Sequence, residues 1–139
     1  MKPVKSLLAL LLATSSVWSF AQCEDTKLGR YMDDIKVELK SLSFEVKKER
    51  YQAAATRIEK IQSLLTQSAN EEPYLLQDLE GDDRHSKQAE YDKAMQRLIE
   101  TFQRLNEAVA TEDQSAIKEN LREISKLRKI GHRAFQVDC

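Results

Sequence analysis

Four runs of apolar residues dominate this sequence, and within each run the apolar positions recur in alternating steps of three and four. The runs cover residues 28–46, 51–65, 91–109 and 117–135. This spacing places the apolar residues of each run on one face of an amphipathic α-helix, with charged residues on the other faces. The chain also holds only three glycines and two prolines, which favours helices joined by short connections. We therefore predict an all-α protein, an antiparallel up-down-up-down four-helix bundle.

The connections between these helices are predicted from breaks in the apolar pattern. The three-and-four spacing of the apolar residues is interrupted between the first two runs, although no Gly or Pro lies there. This interruption predicts a tight turn between Leu42 and Val46. Residues 70–87 break the pattern and contain turn formers, so they form the longest predicted connection, with a short helical turn around residues 74–79. Thr111 or Asp113 is the predicted N-cap of the fourth helix.

Residues 1–21 have the layout of a secretory signal peptide. A basic start is followed by a short apolar run over residues 7–13 and by small residues before the predicted cleavage site, between Ala21 and Gln22. The apolar run is too short to span a bilayer stably, so no membrane anchor is expected. A lipoprotein signal is the alternative because Cys23 lies just past the site, although Gln22 precedes it where a small residue is usual.

Residues 22–139 then form the mature chain, which is long enough for one domain with its own core. Removing two signal-peptide lysines from 22 basic residues leaves 20 against 23 acidic ones, a net charge of about −3. Since the charges are interleaved along the chain, no basic stripe of the kind that nucleic-acid binding requires is present. We expect an exported monomer that binds no nucleic acid.

Cys23 and Cys139 stand at the two ends of the mature chain. Two cysteines in an exported protein usually pair, and an even-numbered up-down bundle would place the chain ends close together. In the chain-entropy account, closing so long a loop stabilises the fold by about 4–5 kcal/mol, less any native strain. Two free or intermolecular thiols are the alternative.

Few residues of this chain offer catalytic chemistry. It has no Gly-rich phosphate loop, no paired-histidine zinc motif and no Cys-x-x-Cys, so we do not expect an enzyme. Of its two histidines, His85 lies in a polar segment and is expected to be a solvated loop residue. A surface metal site formed with Asp82 and Asp83 is the alternative for that histidine.

The other histidine, His132, falls near the end of the last predicted helix, and Met32 falls one turn into the first. Each alone would be read as a core residue, but an up-down bundle brings both to the same end. A thioether and an imidazole that face each other are an axial ligand pair for haem iron. A macrocycle fits there only if the bundle end splays, and Gly29 and Gly131 are small enough to help.

The segments around these two residues resemble the cytochrome b562 family. The start Leu28-Gly-Arg-Tyr-Met32 is similar to the family's opening, where a leucine precedes the ligand methionine by four. The end Leu127-Arg128-Lys-Ile-Gly-His132 is similar to the family's last helix, where an arginine precedes the ligand histidine by four. The likeness extends along the whole mature chain.

The resemblance implies one non-covalent haem b with Met32 and His132 as axial ligands, and one-electron transfer in the bacterial periplasm with redox partner proteins that the chain does not identify. Cys-x-x-Cys-His is absent, so the usual c-type attachment is excluded. An exported cofactor-free bundle, acting as a stress-related chaperone or adaptor, is the alternative. A peroxidase-like enzyme fits less well because Met32 would block the sixth position of the iron.

The resemblance also implies the residues that surround the haem. Tyr91 and Met95 correspond to aromatic positions that line the family's pocket, and Ile58 corresponds to another lining position. Met95 departs from the family in being aliphatic. Arg128, one turn before the ligand histidine, completes the predicted site.

Overall fold

The computed structural model describes residues 26–137 of the protein. They form α1 (Lys27–Lys47), α2 (Tyr51–Ala69), a short 3-10 helix (Tyr74–Asp78), α3 (Gly81–Ala110) and α4 (Gln114–Phe135). None of the described residues is in a strand. The predicted all-α four-helix bundle is therefore confirmed. The predicted signal peptide, residues 1–21, and both Cys23 and Cys139 lie outside the described residues.

Side-chain contacts give the relative direction of the helices. Tyr91 of α3 contacts Phe135 at the end of α4, whereas Arg97, further along α3, contacts Glu123, which lies earlier on α4. These two helices therefore run antiparallel. The connection between α1 and α2 is only residues 48–50, and so short a connection also joins antiparallel neighbours.

The start of α1, the α2–α3 connection and the end of α4 consequently share one end of the bundle, called here the site end. The helices pack in chain order, α1 on α2, α2 on α3 and α3 on α4. Their buried apolar residues form one core, and these come from the four apolar runs of the sequence. The largest fully buried members include Leu42, Ile58, Ile61, Leu65, Phe102, Leu105 and Ile117.

The first turn lies later than the sequence predicts, because α1 continues to Lys47. Glu49 has a φ of 56°, in the left-handed region. The N–H of Glu49 donates to the carbonyl of Val46 at 3.0 Å, and that of Arg50 donates to Glu45 at 2.9 Å. These bonds form a Schellman motif, whose left-handed position is usually glycine. The predicted turn between residues 42 and 46 is wrong because a glutamate occupies the position that glycine would have marked.

α3 begins at Gly81, inside the segment predicted to be a connection up to residue 87. Its first two turns are polar and mostly exposed, so no apolar signal marks them. Asp82 and Asp83 lie in the first turn, where carboxylates interact favourably with the helix dipole. The predicted short helical turn before α3 is confirmed as the 3-10 helix.

Two side chains cap the helices that carry the candidate site. Thr26 accepts a hydrogen bond from the N–H of Gly29 at 3.0 Å and fixes the start of α1. Asp113, one of the two predicted N-caps of α4, accepts from the N–H of Ala116 at 3.0 Å. Within residues 26–137, no helix combines the length and apolar character needed to cross a membrane.

Candidate functional site between the first and last helices

Met32 lies on the flank of α1 that faces away from α2. The opposite flank is marked by Glu38, whose carboxylate accepts hydrogen bonds from Arg57 of α2 at 3.0 Å and from Lys60 of α2. Met32 is six residues before Glu38, which turns it by about 120° around the helix axis. The Met32 side chain therefore lies on the α4 side of α1, where it is half-buried against the core.

His132 lies on the flank of α4 that faces away from α3. The α3 side of this helix is marked by Glu123, which accepts a hydrogen bond from Arg97 at 2.6 Å. His132 is nine residues after Glu123, about half a turn around the helix axis. The imidazole thus lies on the α1 side of α4, and it is exposed.

Contacts around the bundle place Met32 and His132 at the same level. Glu38 contacts Arg57 of α2, and α1 and α2 run antiparallel. Met32 lies six residues before Glu38, so it lies opposite the part of α2 about six residues after Arg57, which is close to Ser68. The Ser68 carbonyl accepts a hydrogen bond from the hydroxyl of Tyr91 at 2.6 Å. Tyr91 in turn contacts Phe135, with ring centroids 5.3 Å apart, and His132 precedes Phe135 by three residues.

Counted along the helices, this chain of contacts brings Met32 and His132 to within about one helical turn of each other along the bundle axis, about 5 Å. The two predicted ligands therefore lie at the site end on facing flanks of α1 and α4.

The space between those flanks is not closed by helix packing. α1 and α4 do not pack closely along their length, in contrast to the three pairs of consecutive helices. Gly131 lies on the core side of α4 and is half-exposed, and a Cβ added there would meet no atom within 4 Å beyond its own stretch of helix. The space next to Gly131, beside His132, is therefore open.

Arg128 influences the protonation of His132. The pKa of His132 is lowered by partial desolvation and, to a lesser extent, by the charge of Arg128. Arg128 is exposed and lies one turn before His132 on the same side of α4. Both effects favour the neutral imidazole, which is the form that donates a lone pair to a metal.

Two of the predicted pocket residues lie at the level of the site, and the third does not. Tyr91 is 3% exposed and Met95, one turn further along α3, is 5% exposed. Burial raises the pKa of the Tyr91 phenol well above its usual range, so it stays a hydrogen-bond donor. Ile58 is fully buried beside Arg57, about six residues or 9 Å deeper along the bundle than Met32.

Phe135 is a further residue at this end that sequence reasoning assigned only to the core. Its ring meets Tyr91 edge to face, and the ammonium of Lys87 lies 5.1 Å from the ring centroid. Its position one turn after His132 was the available signal, because residues three apart share a helix face. These contacts hold the end of α4 against α3.

The alternative metal site around the other histidine is not supported. His85 lies in the second turn of α3 and is exposed. Among residues 26–137, no group of three or more His, Cys, Asp or Glu side chains is arranged to hold a metal ion.

The donor set between α1 and α4 suits haem iron. One soft thioether, half-buried against the core, and one imidazole on the facing flank match the donor set of a Met/His haem site. The open space next to Gly131 and the absence of close packing between α1 and α4 are compatible with a bound macrocycle. The residues present therefore fit a haem.

The sequence matches a known protein family. The family model described as Cytochrome b562 matches residues 27–136, which is most of the chain. Searches of curated proteins and of solved structures gave no match.

Proposed function

Since the chain belongs to the cytochrome b562 family, whose members bind haem and carry electrons without being enzymes, we propose that it carries one non-covalent haem b, held by Met32 and His132, and transfers single electrons in the periplasm. The observation that supports this proposal most is the placement of a thioether and an imidazole on facing flanks of α1 and α4, where these helices do not pack.

Haem, when bound, supplies the one-electron couple, and the protein residues set its environment. Met32 and His132 would both ligate the iron, which would disfavour oxygen binding and with it an enzymatic reaction at this site. A thioether ligand and apolar surroundings favour the ferrous state and raise the reduction potential. Because the same two ligands suit both oxidation states, little rearrangement is needed when an electron moves.

The surrounding side chains have separate roles in this proposal. Met95 and Tyr91 supply buried surface at the level of the ligands. Arg128 would add to the larger effect of desolvation in lowering the pKa of His132, which favours the neutral imidazole that can act as a ligand. Ile58, which lies deeper, would support the floor of the pocket through core packing.

Export and a terminal disulfide complete the proposal, and both concern residues outside the described part of the chain. Residues 1–21 would direct export, as their signal-peptide layout indicates. Cys23 and Cys139 would pair at the site end, where α1 starts and α4 ends. Such a bond would hold the ligand-bearing helices together and slow the loss of haem. A thiol titration of unreduced, unfolded protein tests it, since two reactive thiols would exclude the bond.

Titration of the purified mature chain with haemin, followed by optical spectroscopy, tests the proposed function. We expect saturation at one haem per chain and sharp low-spin ferrous bands after reduction. A spectrum that stays that of free haem at stoichiometric haemin would contradict the proposal. It would instead favour the cofactor-free bundle, for which Met32 and His132 are only packing residues.

A further inference from the structure

The outward face of α4 at the site end carries an unbalanced positive charge. Residues 126–133 contain four Lys or Arg side chains and no carboxylate, although the mature chain is net negative. Three of these cations, with one apolar residue, form what we call the α4 patch: Lys126, Lys129, Ile130 and Arg133. All four are exposed, and Ile130 is 47% exposed.

The patch lies beside the proposed haem ligand and is separate from the haem-facing residues. At about 100° per residue, its members lie on the side of α4 opposite the buried Ile124. Lys129 and Arg133 flank His132 along the helix, whereas Arg128 lies on the side that faces α1.

Several basic residues of the bundle are paired with a carboxylate on another helix or connection. Arg57 pairs with Glu38, Arg84 with Glu72 and Arg97 with Glu123. Within the described residues, none of the three patch cations has a carboxylate in ion-pair range. The helix dipole stabilises Arg133 in the last turn, but this effect fades within one turn and does not account for Lys126.

The same end of the bundle is negative on its other side. Residues 71–83, which connect α2 to α3 and begin α3, hold six carboxylates and no Lys or Arg. The site end is therefore polarised, with cations on the α4 side and carboxylates on the α2–α3 side. A charged partner would approach such a surface in one preferred orientation.

We propose that the α4 patch is the docking surface for an acidic face of a protein redox partner, an inference that rests on the proposed electron-transfer function. The three cations would steer and orient the partner, and Ile130 would supply a small apolar contact beside them. A membrane is the weaker fit, because a helix that lies in a lipid interface needs a broad apolar face and this one exposes a single large apolar side chain.

Haemin-loaded mature protein, with poly-L-glutamate as the acidic probe, tests this inference. Backbone amide chemical shifts are followed at low and high salt in the wild type and in two triple variants. Lys126→Glu/Lys129→Glu/Arg133→Glu reverses the patch. Lys40→Glu/Lys47→Glu/Lys48→Glu is the control. It makes the same change in net charge further from the site end, and each set contains one cation in the last turn of its helix.

We expect shifts concentrated in residues 126–133 at low salt and weakened at high salt, because exposed charges are screened. The dissociation constant should rise at least tenfold in the patch variant and change less than twofold in the control. Oxidation of the reduced protein by hexacyanoferrate(III), a small anion, should slow at least tenfold in the patch variant only.

Equal losses in the two variants would overturn the inference, because net charge alone would then explain binding. Patch-dependent binding to phosphatidylglycerol vesicles without binding to poly-L-glutamate would also overturn it, in favour of a membrane. The optical spectrum of the same samples distinguishes a failure of the docking inference from a failure of the proposed haem-binding function. Patch-dependent binding of poly-L-glutamate without a low-spin haem spectrum would contradict electron transfer, and it would still support the α4 patch as a docking surface for an acidic partner.

Discussion

Tyr91 and Phe135 meet edge to face, with ring centroids 5.3 Å apart and an angle of 81° between the ring planes. The Tyr91 hydroxyl donates to the carbonyl of Ser68 at 2.6 Å, so the end of α4 is tied through α3 to the end of α2. Because His132 lies one turn before Phe135, these contacts help to fix the imidazole at the site end.

We predict that Phe135→Ala destabilises the haem-free protein by about 1–2 kcal/mol, since it removes an edge-to-face contact and half-buried apolar surface. Haem should also dissociate faster, because the last turn of α4 would be less constrained. Urea denaturation and transfer of haem to apomyoglobin measure the two effects. Val37→Ala is the control: this side chain is 61% exposed on α1, and its loss should change stability by less than about 0.5 kcal/mol. Similar effects of both changes would contradict the structural role of Phe135.

Glu38 should make the bundle sensitive to acid. Its pKa is lowered below the ordinary 4.5, first by the hydrogen bond from Lys60 and then by Arg57, against an opposing effect of burial. As the pH falls through the ordinary pKa of 4.5, the carboxyl is protonated in the unfolded chain before it is protonated in the folded one. The free energy of unfolding therefore decreases with falling pH.

Glu38→Gln removes the ion pairs with Arg57 and Lys60 and should lower the free energy of unfolding at neutral pH. The loss should be only about 1 kcal/mol because both cations are well exposed to solvent. The substitution should also flatten the loss of stability below pH 5. Urea denaturation at a series of pH values measures both. Glu59→Gln, an exposed residue of α2, should leave the pH profile unchanged, and an unaltered profile in the Glu38 variant would contradict the prediction.

Glu112, like Glu49, occupies the left-handed position of a Schellman motif, with a φ of 55°. A side chain in this conformation costs about 1–2 kcal/mol, partly offset by the greater freedom of glycine in the unfolded chain. We therefore predict that Glu112→Gly stabilises the protein by about 0.5 kcal/mol, measurable by thermal denaturation. Gln103→Gly, an exposed position inside α3, should destabilise it by about 1 kcal/mol. Destabilisation by both would show that Glu112 is not strained.

Removing the Arg128 charge should raise the pKa of His132, because that charge lowers it in the wild type. Titration of the imidazole by NMR in the haem-free Arg128→Gln variant measures the shift. Since the protonated imidazole cannot ligate iron, the variant should lose haem at a higher pH than the wild type during acid titration. Arg122→Gln, further from the site end on the outward face, should leave both values unchanged. An unchanged His132 pKa in the Arg128 variant would contradict the coupling.

Much of this fold could be predicted from the apolar runs, because helical periodicity identifies both the helices and their buried faces. The first and last residues of the helices could be predicted less well. Glu49 marks the first turn without any glycine signal, and α3 starts at Gly81, well before its first core residue, Tyr91. Where a helix extends beyond the core, as the start of α3 does, its residues are polar on all faces and no apolar periodicity predicts them.

The sequence could predict that the two proposed ligands lie at the same end of the bundle, but not how far apart the helices that carry them are. The order of the helices places Met32 and His132 at the same end, as the sequence predicts. That α1 and α4 remain apart there does not follow from periodicity, which gives the buried face of a helix and not the distance to its neighbour. The depth of Ile58 likewise depends on the register between α1 and α2, which is set by the contacts of Glu38.

The central claim is that Met32 and His132 both ligate one haem, and optical spectroscopy of four haemin-loaded variants tests it most directly. The described chain offers a matched control for each ligand, since Met95 is its only other methionine and His85 its only other histidine. We predict that Met32→Ala abolishes the weak far-red sulfur band of the ferric protein, whereas Met95→Leu retains it. His132→Ala should lose the low-spin spectrum, whereas His85→Ala should keep it. A far-red band that survives Met32→Ala, or a low-spin spectrum that survives His132→Ala, would contradict the claim.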